Sequence, residues 1–226
     1  MANRYVLEFS KTGYAKYTSH LDLIRLFKRA FRKSQISLKY SQGFNPHPKI
    51  GFAQPLSLGY SSSCELLEFE TDKTYEAENI FNTLLPQMPQ GIVLKWCKTI
   101  DSNIKSLAAA ADNAEYMVTI PLDITVDELY NLAKGYMEQE QILAMKRQKK
   151  DKKMVSIDIK RMIRSFNASK VDQNICLTML LDCGSMSNCS PELVIASFCQ
   201  YGNIEIPRYM IDVERTALGF SNNLQF

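Results

Sequence analysis

The chain has 226 residues, 46% hydrophobic and 23% charged, enough to build a packed core as one large domain or two small ones. A net charge of +3 excludes a protein that coats nucleic acid through bulk electrostatics, and no apolar run approaches the ~20 residues that span a bilayer. The opening MANRYVLEFS has neither a long apolar stretch nor a small-residue cleavage site, so a cytoplasmic location and no membrane partner are expected.

In chain order, RYVLEFSK alternates apolar and polar through Tyr5, Leu7 and Phe9, which predicts a strand. TSHLDLIRLFKRAFRKS places Leu23, Ile24, Phe27, Ala30 and Phe31 at helical spacing, with Ser19 as N-cap and Asp22 three residues on. On that helix Arg25, Lys28, Arg29 and Arg32 recur at three and four residues, a basic stripe beside the buried face. ISLKYS reads as a strand. Residues 40–59, YSQGFNPHPKIGFAQPLSLG, read as a loop, with three prolines, three glycines and His47, one of two histidines in the chain. CELLEFET reads as a strand, TYEAENIFNTLLPQ as a helix stopped near Pro86, and GIVLKWCKTI as a closing strand.

DSNIKSLAAAADNAEY is a joint, with Ala108–Ala111 as one helical turn or a linker. The order then repeats. EYMVTI is a strand, and TVDELYNLAKGYMEQ a helix capped by Thr125 with Glu128 as partner. ILAMKRQKKDKKMVSIDI reads as a hairpin with a basic tip, KRMIRSF as a short extra helix, and NICLTMLLD as a strand. SPELVIASFCQYG reads as a helix with Pro191 at its first position and Gly202 past its end, and YMIDVERTAL as the last strand. The expected class is α+β, two tandem ferredoxin-like (βαββαβ) domains over residues 1–105 and 113–226.

The six cysteines form no C-x-x-C pair, and neither histidine lies near Cys183, Cys189 or Cys199, so no metal site and no cofactor are expected. Neither a Walker-type loop nor a G-x-S-x-G elbow is present. Charge is concentrated instead. KRQKKDKKMVSIDIKRMIR holds nine of the 27 basic residues, among them Lys146, Arg147, Lys149, Lys150, Lys152 and Lys153, and RLFKRAFRK holds five with no acid. Such clusters match a phosphate backbone, or else form a solvated hairpin tip and a solvated helix face. Tyr40, Phe44, Phe52 and Tyr60 set aromatics beside basic residues, as single-stranded RNA binding by stacking requires. Phe52 and at least one other aromatic are expected in the core.

Residues 11–70 carry a dense pattern: Ser19-His20-Leu21-Asp22, a basic helix, then Tyr40, Ser41, Gly43, Phe44, Asn45, Pro46, His47 and Pro48, closed by Gly59. Towards the C-terminus, DI at 158–159, GSMSNCSP and VERTAL add a softer match. The pattern resembles a bacterial family of unknown function, the radical-SAM-linked proteins. That resemblance implies a domain fused to or encoded beside B12-binding radical SAM proteins, in gene neighbourhoods with an RNA-processing ribonuclease and ribosomal proteins. No C-x-x-x-C-x-x-C run is present, so the chain would be the companion rather than the radical generator. Paired domains with a basic helix also look like CRISPR-type repeat-RNA-processing proteins, a likeness of architecture only.

The expected function is therefore an RNA-binding companion that positions an RNA or ribosomal substrate for a separately encoded radical SAM protein. Arg25, Lys28, Arg29, Arg32, Lys49 and the basic hairpin would meet phosphates, with Tyr40, Phe44 and Asn45 supplying loop contacts. Two alternatives stand beside it. One is a metal-independent endoribonuclease using His20 or His47, since a general base near neutrality next to cations suits that chemistry. The other is an interaction module that docks the radical SAM partner.

Overall fold

The computed structural model describes residues 3–101, 103–148, 153–184 and 186–221. The protein is mixed α/β, with five helices among the described residues. It divides into two compact units: the chain up to Ala111, joined by Phe220 and Ser221, and Asp112–Gly219.

The first unit is built on β1 (Arg4–Lys11), whose Tyr5, Leu7 and Phe9 are wholly buried. A 3-10 turn, Gly13–Tyr17, leads into α1 (His20–Lys33). Ser19 caps α1 by accepting from the Asp22 backbone N–H at 3.2 Å, and its hydroxyl donates to the Asp22 carboxylate at 2.8 Å. Leu23, Phe27, Ala30 and Phe31 form the buried stripe. The Phe27 ring meets Phe9 at 5.0 Å, and Phe31 meets Phe69 at 4.6 Å. Then follow β2 (Ile50–Phe52), β3 (Ser61–Glu70), α2 (Ala77–Leu84), β4 (Ile92–Thr99) and the single helical turn α3 (Leu107–Ala110). The strands of this unit lie in the order β4-β1-β3-β2, each antiparallel to its neighbours. The buried Tyr5 hydroxyl donates to the Tyr75 carbonyl and accepts the Tyr75 N–H, both at 2.9 Å, so its own polar atom is satisfied inside this core.

Two readings of this half need correction. ISLKYS is not a strand; it makes only the single pairings Leu38↔Thr71 and Tyr40↔Pro48. Pro48 has no N–H to give, so the ladder cannot run on through it. The second strand lies inside the presumed loop, as Ile50-Gly51-Phe52 paired to Phe69-Glu68-Leu67.

The second unit runs β5 (Ala111–Ile120), α4 (Val126–Glu138), β6 (Leu143–Arg147), β7 (Met154–Asp158), β8 (Ile163–Val171), β9 (Asn174–Asp182), α5 (Pro191–Tyr201) and β10 (Asp212–Phe220). Its main strands lie in the order β10-β5-β9-β8. Thr125 and Glu128 form the full capping box on α4. Ile175, Leu177, Met179 and Leu181 alternate inward on β9, and Leu129 and Tyr136 of α4 and Val194, Ile195 and Phe198 of α5 are likewise buried, with the Tyr136 ring meeting Phe166 of β8 at 5.3 Å and Phe198 at 5.2 Å. The Tyr136 and Ser197 hydroxyls bond at 2.7 Å inside this core. KRMIRSF is not the expected helix: after a 3-10 turn at Lys160–Met162 it opens β8. β6 and β7 pair with each other as expected, and among the described residues they stand as a two-stranded ribbon off the main sheet, with residues 149–152 of the expected basic tip outside the described residues.

One contact sets the exit of β1. Gly91 has φ +87°, and a Cβ there would lie 2.5 Å from the Thr12 carbonyl oxygen and 2.9 Å from the Ala15 Cβ. The Gly91 carbonyl in turn accepts the Thr12 N–H at 2.8 Å. Gly91→Ala is therefore expected to lower unfolding free energy by about 2 kcal/mol or more. Gly51→Ala, facing open space, should stay within about 0.5 kcal/mol of the parent. Denaturant titration of the two variants checks this, and equal midpoints would remove the clamp from the account.

Candidate nucleic-acid interface

α1 is amphipathic by charge as well as by hydropathy. With Leu23, Phe27, Ala30 and Phe31 turned into the core, the periodicity leaves Arg25, Arg29, Arg32 and Lys33 exposed and Lys28 half-buried. Arg25 pairs with Asp22 at 2.8 Å. The Ser19 hydroxyl first, and Arg25 second, hold the Asp22 carboxyl below the usual aspartate range. Among the described residues Lys28, Arg29, Arg32 and Lys33 make no salt bridge, so the outer face keeps a surplus of positive charge. Arg32 and Lys33 also stand in the last turn, where cations complement the helix dipole.

The stretch 40–59 is an anchored projection rather than a slack connector. The Lys49 N–H donates to the Lys39 carbonyl at 2.8 Å, and the Lys39 N–H to the Glu70 carbonyl at 2.9 Å. Higher up, the Ser41 N–H donates to the His47 carbonyl at 2.8 Å while the His47 N–H donates to the Ser41 hydroxyl at 3.0 Å. Beyond this pinch Gln42, Gly43, Phe44, Asn45 and Pro46 are all exposed, and Phe44 stands fully in solvent at the tip. Gly43 has φ +148°, a backbone that favours glycine. Tyr40 is half-exposed at the base. Phe52, from the same stretch, and Tyr60, the residue after it, are buried.

Lys49 is not a free phosphate ligand. It and Lys39 both reach Glu70, at 2.9 and 3.0 Å, leaving one surplus charge at the foot of the projection. Burial works against ionisation of Glu70, but the hydrogen bonds from Lys49 and Lys39 outweigh it and hold the carboxyl below the usual glutamate range.

The two histidines occupy different settings. His20 opens α1 with its ring edge-on to Phe52, centroids 5.2 Å apart. His47 uses its backbone to close the projection, and its side chain is exposed. Among the described residues neither imidazole takes a hydrogen bond, so no oriented acid–base pair is formed around either. Burial pushes the Cys97 and Cys189 thiols up to about 12, which keeps both protonated at neutral pH. No group of three His, Cys, Asp or Glu residues is placed to hold a metal ion among the described residues.

Lys146 and Arg147 end β6 and Lys153 precedes β7, all three exposed on the ribbon of the second unit. Lys149, Lys150 and Lys152 lie outside the described residues. Two exposed tyrosines escaped sequence reasoning: Tyr14 and Tyr17, on the turn between β1 and α1. The signal was present in GYAKYT, two aromatics three apart in a glycine-led connection. No helix of the described residues is long and apolar enough to cross a membrane.

A protein-family model described as "Uncharacterized protein conserved in bacteria (DUF2344)" matches residues 4–191. Curated proteins give no match. Among solved structures the chain is similar to one titled a Cbf5-Nop10-Gar1 complex, at 10% identity and TM-score 0.51, covering 97% of this chain and 50% of that one. It is also similar to an archaeal box H/ACA sRNP Nop10-Cbf5 complex, at 12% identity and TM-score 0.48, covering 97% and 49%. The chain thus spans about half the length of these structures' chains, and at such identity the first likeness shows fold alone.

A carboxyl whose folded pKa is lowered stabilises the fold above its ordinary value, and that contribution is lost as pH falls through the folded value. Glu70→Gln is therefore expected to cost about 1 kcal/mol at pH 7 and progressively less as the pH falls below the ordinary glutamate range. Denaturation midpoints of parent and variant across that range are the measurement.

Proposed function

We propose that this chain, a member of that bacterial family, binds RNA through the exposed face of α1 and the 40–59 projection. The observation that carries the reading is the face of α1: Arg25, Lys28, Arg29 and Arg32 at i, i+3, i+4 and i+7, with Asp22 the acid that pairs among them. A rigid row of cations spaced along a helix suits a row of phosphates, and guanidinium groups suit phosphate geometry. Phe44, Asn45 and Tyr40 project from the same unit to meet sugar, base or groove, and Lys146, Arg147 and Lys153 offer further cations on the ribbon.

We read both units as ferredoxin-like, each with βαββαβ order and the ribbon as an insertion in the second; the strand orders given above support this. On its resemblance to radical-SAM-linked proteins, the chain would present an RNA or ribosomal substrate to a separately encoded B12-binding radical SAM enzyme. Binding rather than cleavage is favoured by the settings of His20 and His47, one ring turned onto Phe52 and the other exposed, neither oriented by a hydrogen bond among the described residues.

Contact with about four phosphates gives a slope of log affinity against log salt near −3, a loss on the order of 50-fold between about 50 and 200 mM salt. Arg29→Glu with Arg32→Glu is expected to weaken binding to cellular RNA more than about tenfold and to flatten that slope by about 1.5. Thermal midpoints should not move, since both side chains are exposed. Fluorescence anisotropy with labelled RNA reads all three; negligible affinity at the lowest salt would end the proposal.

A further inference from the structure

We propose that the turn Gly13–Tyr17 is a base-stacking platform that restricts this surface to unpaired RNA, an inference that rests on the RNA-binding reading above. Tyr14 is 93% exposed and Tyr17 61%, with Leu21 and Leu58 each 64% exposed. By contrast Tyr5, Tyr60, Tyr116 and Tyr136 are all buried in the cores.

The mount under these rings is rigid. The Thr12 N–H is held by the Gly91 carbonyl at 2.8 Å, and the Ala15 N–H by Thr12 at 3.1 Å. The Thr18 N–H is held by Ala15 at 2.9 Å, and the Lys16 carbonyl accepts the Gly59 N–H at 2.9 Å. Beneath them the buried Lys11 ammonium donates to the Thr18 carbonyl at 3.0 Å. A backbone tied at this many points shows its rings without further ordering on binding, which is where aromatic contacts otherwise lose affinity.

The geometry of the turn supplies the spacing. Side chains at i and i+3 of a 3-10 helix lie over one another, separated by a rise of about 6 Å. Two steps of nucleic-acid stacking at about 3.4 Å come close to that rise, so Tyr14 and Tyr17 suit one base between them or two bases on successive faces. The Lys16 ammonium lies 5.5 Å from the Tyr17 ring centroid, beside any base that stacks there. The chain then continues directly into α1 and its cations, which favours an anionic occupant over a neutral polypeptide. Paired bases keep their faces inside the duplex, so only an unpaired strand can use such a platform.

The test uses the full chain and three labelled probes of equal length: an unstructured RNA, the same RNA annealed to its complement, and the same strand with abasic positions. The single strand should bind at least tenfold tighter than the duplex or the abasic strand. Tyr14→Ala with Tyr17→Ala should weaken the single strand by about tenfold or more and leave the duplex unchanged. Tyr14→Phe with Tyr17→Phe should retain binding, which ties the effect to the rings rather than to the hydroxyls or to folding. A duplex bound as tightly as the single strand, or an alanine variant equal to the parent, overturns the platform. If charge reversal on α1 still abolishes binding in that case, RNA binding itself survives. A chain that binds none of the probes loses both proposals, and a dimer in sedimentation that the alanine variant dissolves would assign the tyrosines to contact between copies.

Discussion

The seating of α1 on its sheet governs everything else in the first unit. Phe27 and Phe31 bury their rings against Phe9 and Phe69, and each is worth about 2–3 kcal/mol of transfer free energy at that depth. That pair, with Leu23 and Ala30, fixes the rotation of the helix about its own axis. A slip of one residue would turn it by about 100° and drive a guanidinium towards the core, at a desolvation cost no surface contact could match. The exposure of Arg25, Arg29 and Arg32 thus follows from the buried phenylalanines.

The parts legible in the sequence are those where one period dominates. α1 and α4 show their 3.6-residue repeat and their caps, β9 alternates cleanly, and β1 carries Tyr5, Leu7 and Phe9 at period two; all four lie where the pattern places them. β2 was hidden because three residues, Ile50-Gly51-Phe52, are too few to establish alternation and stand among prolines. β8 was hidden for another reason. It turns only Ile163 fully inward, so its arginine, serines, asparagine and lysine read as a polar connection rather than as a strand beside β9.

The same division holds for the surface. Spacing alone placed the cations of α1 on one face. It could not show that Lys49 and Lys39 share Glu70, because that meeting depends on the projection folding back onto β3. The expectation that Phe52 and at least one other aromatic enter the core holds, but spacing could not say which other. Phe52 and Tyr60 go inside while Phe44 and Tyr14 stay out, though all four sit near glycine or proline in similar local sequence. An aromatic ring is apolar enough for any core, so its destination is decided by tertiary packing.

The stretch 40–59 ends up with two jobs, and their separation along the chain is physically sensible. Its second part supplies an edge strand and the Phe52 ring, which packs with Phe9, Phe27 and His20 and belongs to the core. Its first part is lifted off that base by reciprocal hydrogen bonds between Ser41 and His47, with Pro46 and Pro48 stiffening the return. A loop closed this way keeps Phe44 and Asn45 in place without burying either. Stiffness at the base and exposure at the tip are the two properties that make a contact surface inexpensive in entropy. The turn bearing Tyr14 and Tyr17 reaches the same combination by a different route, through Gly91 and Lys11. Two independent constraints in one unit thus hold aromatic rings out in water beside a helix whose outer face is cationic.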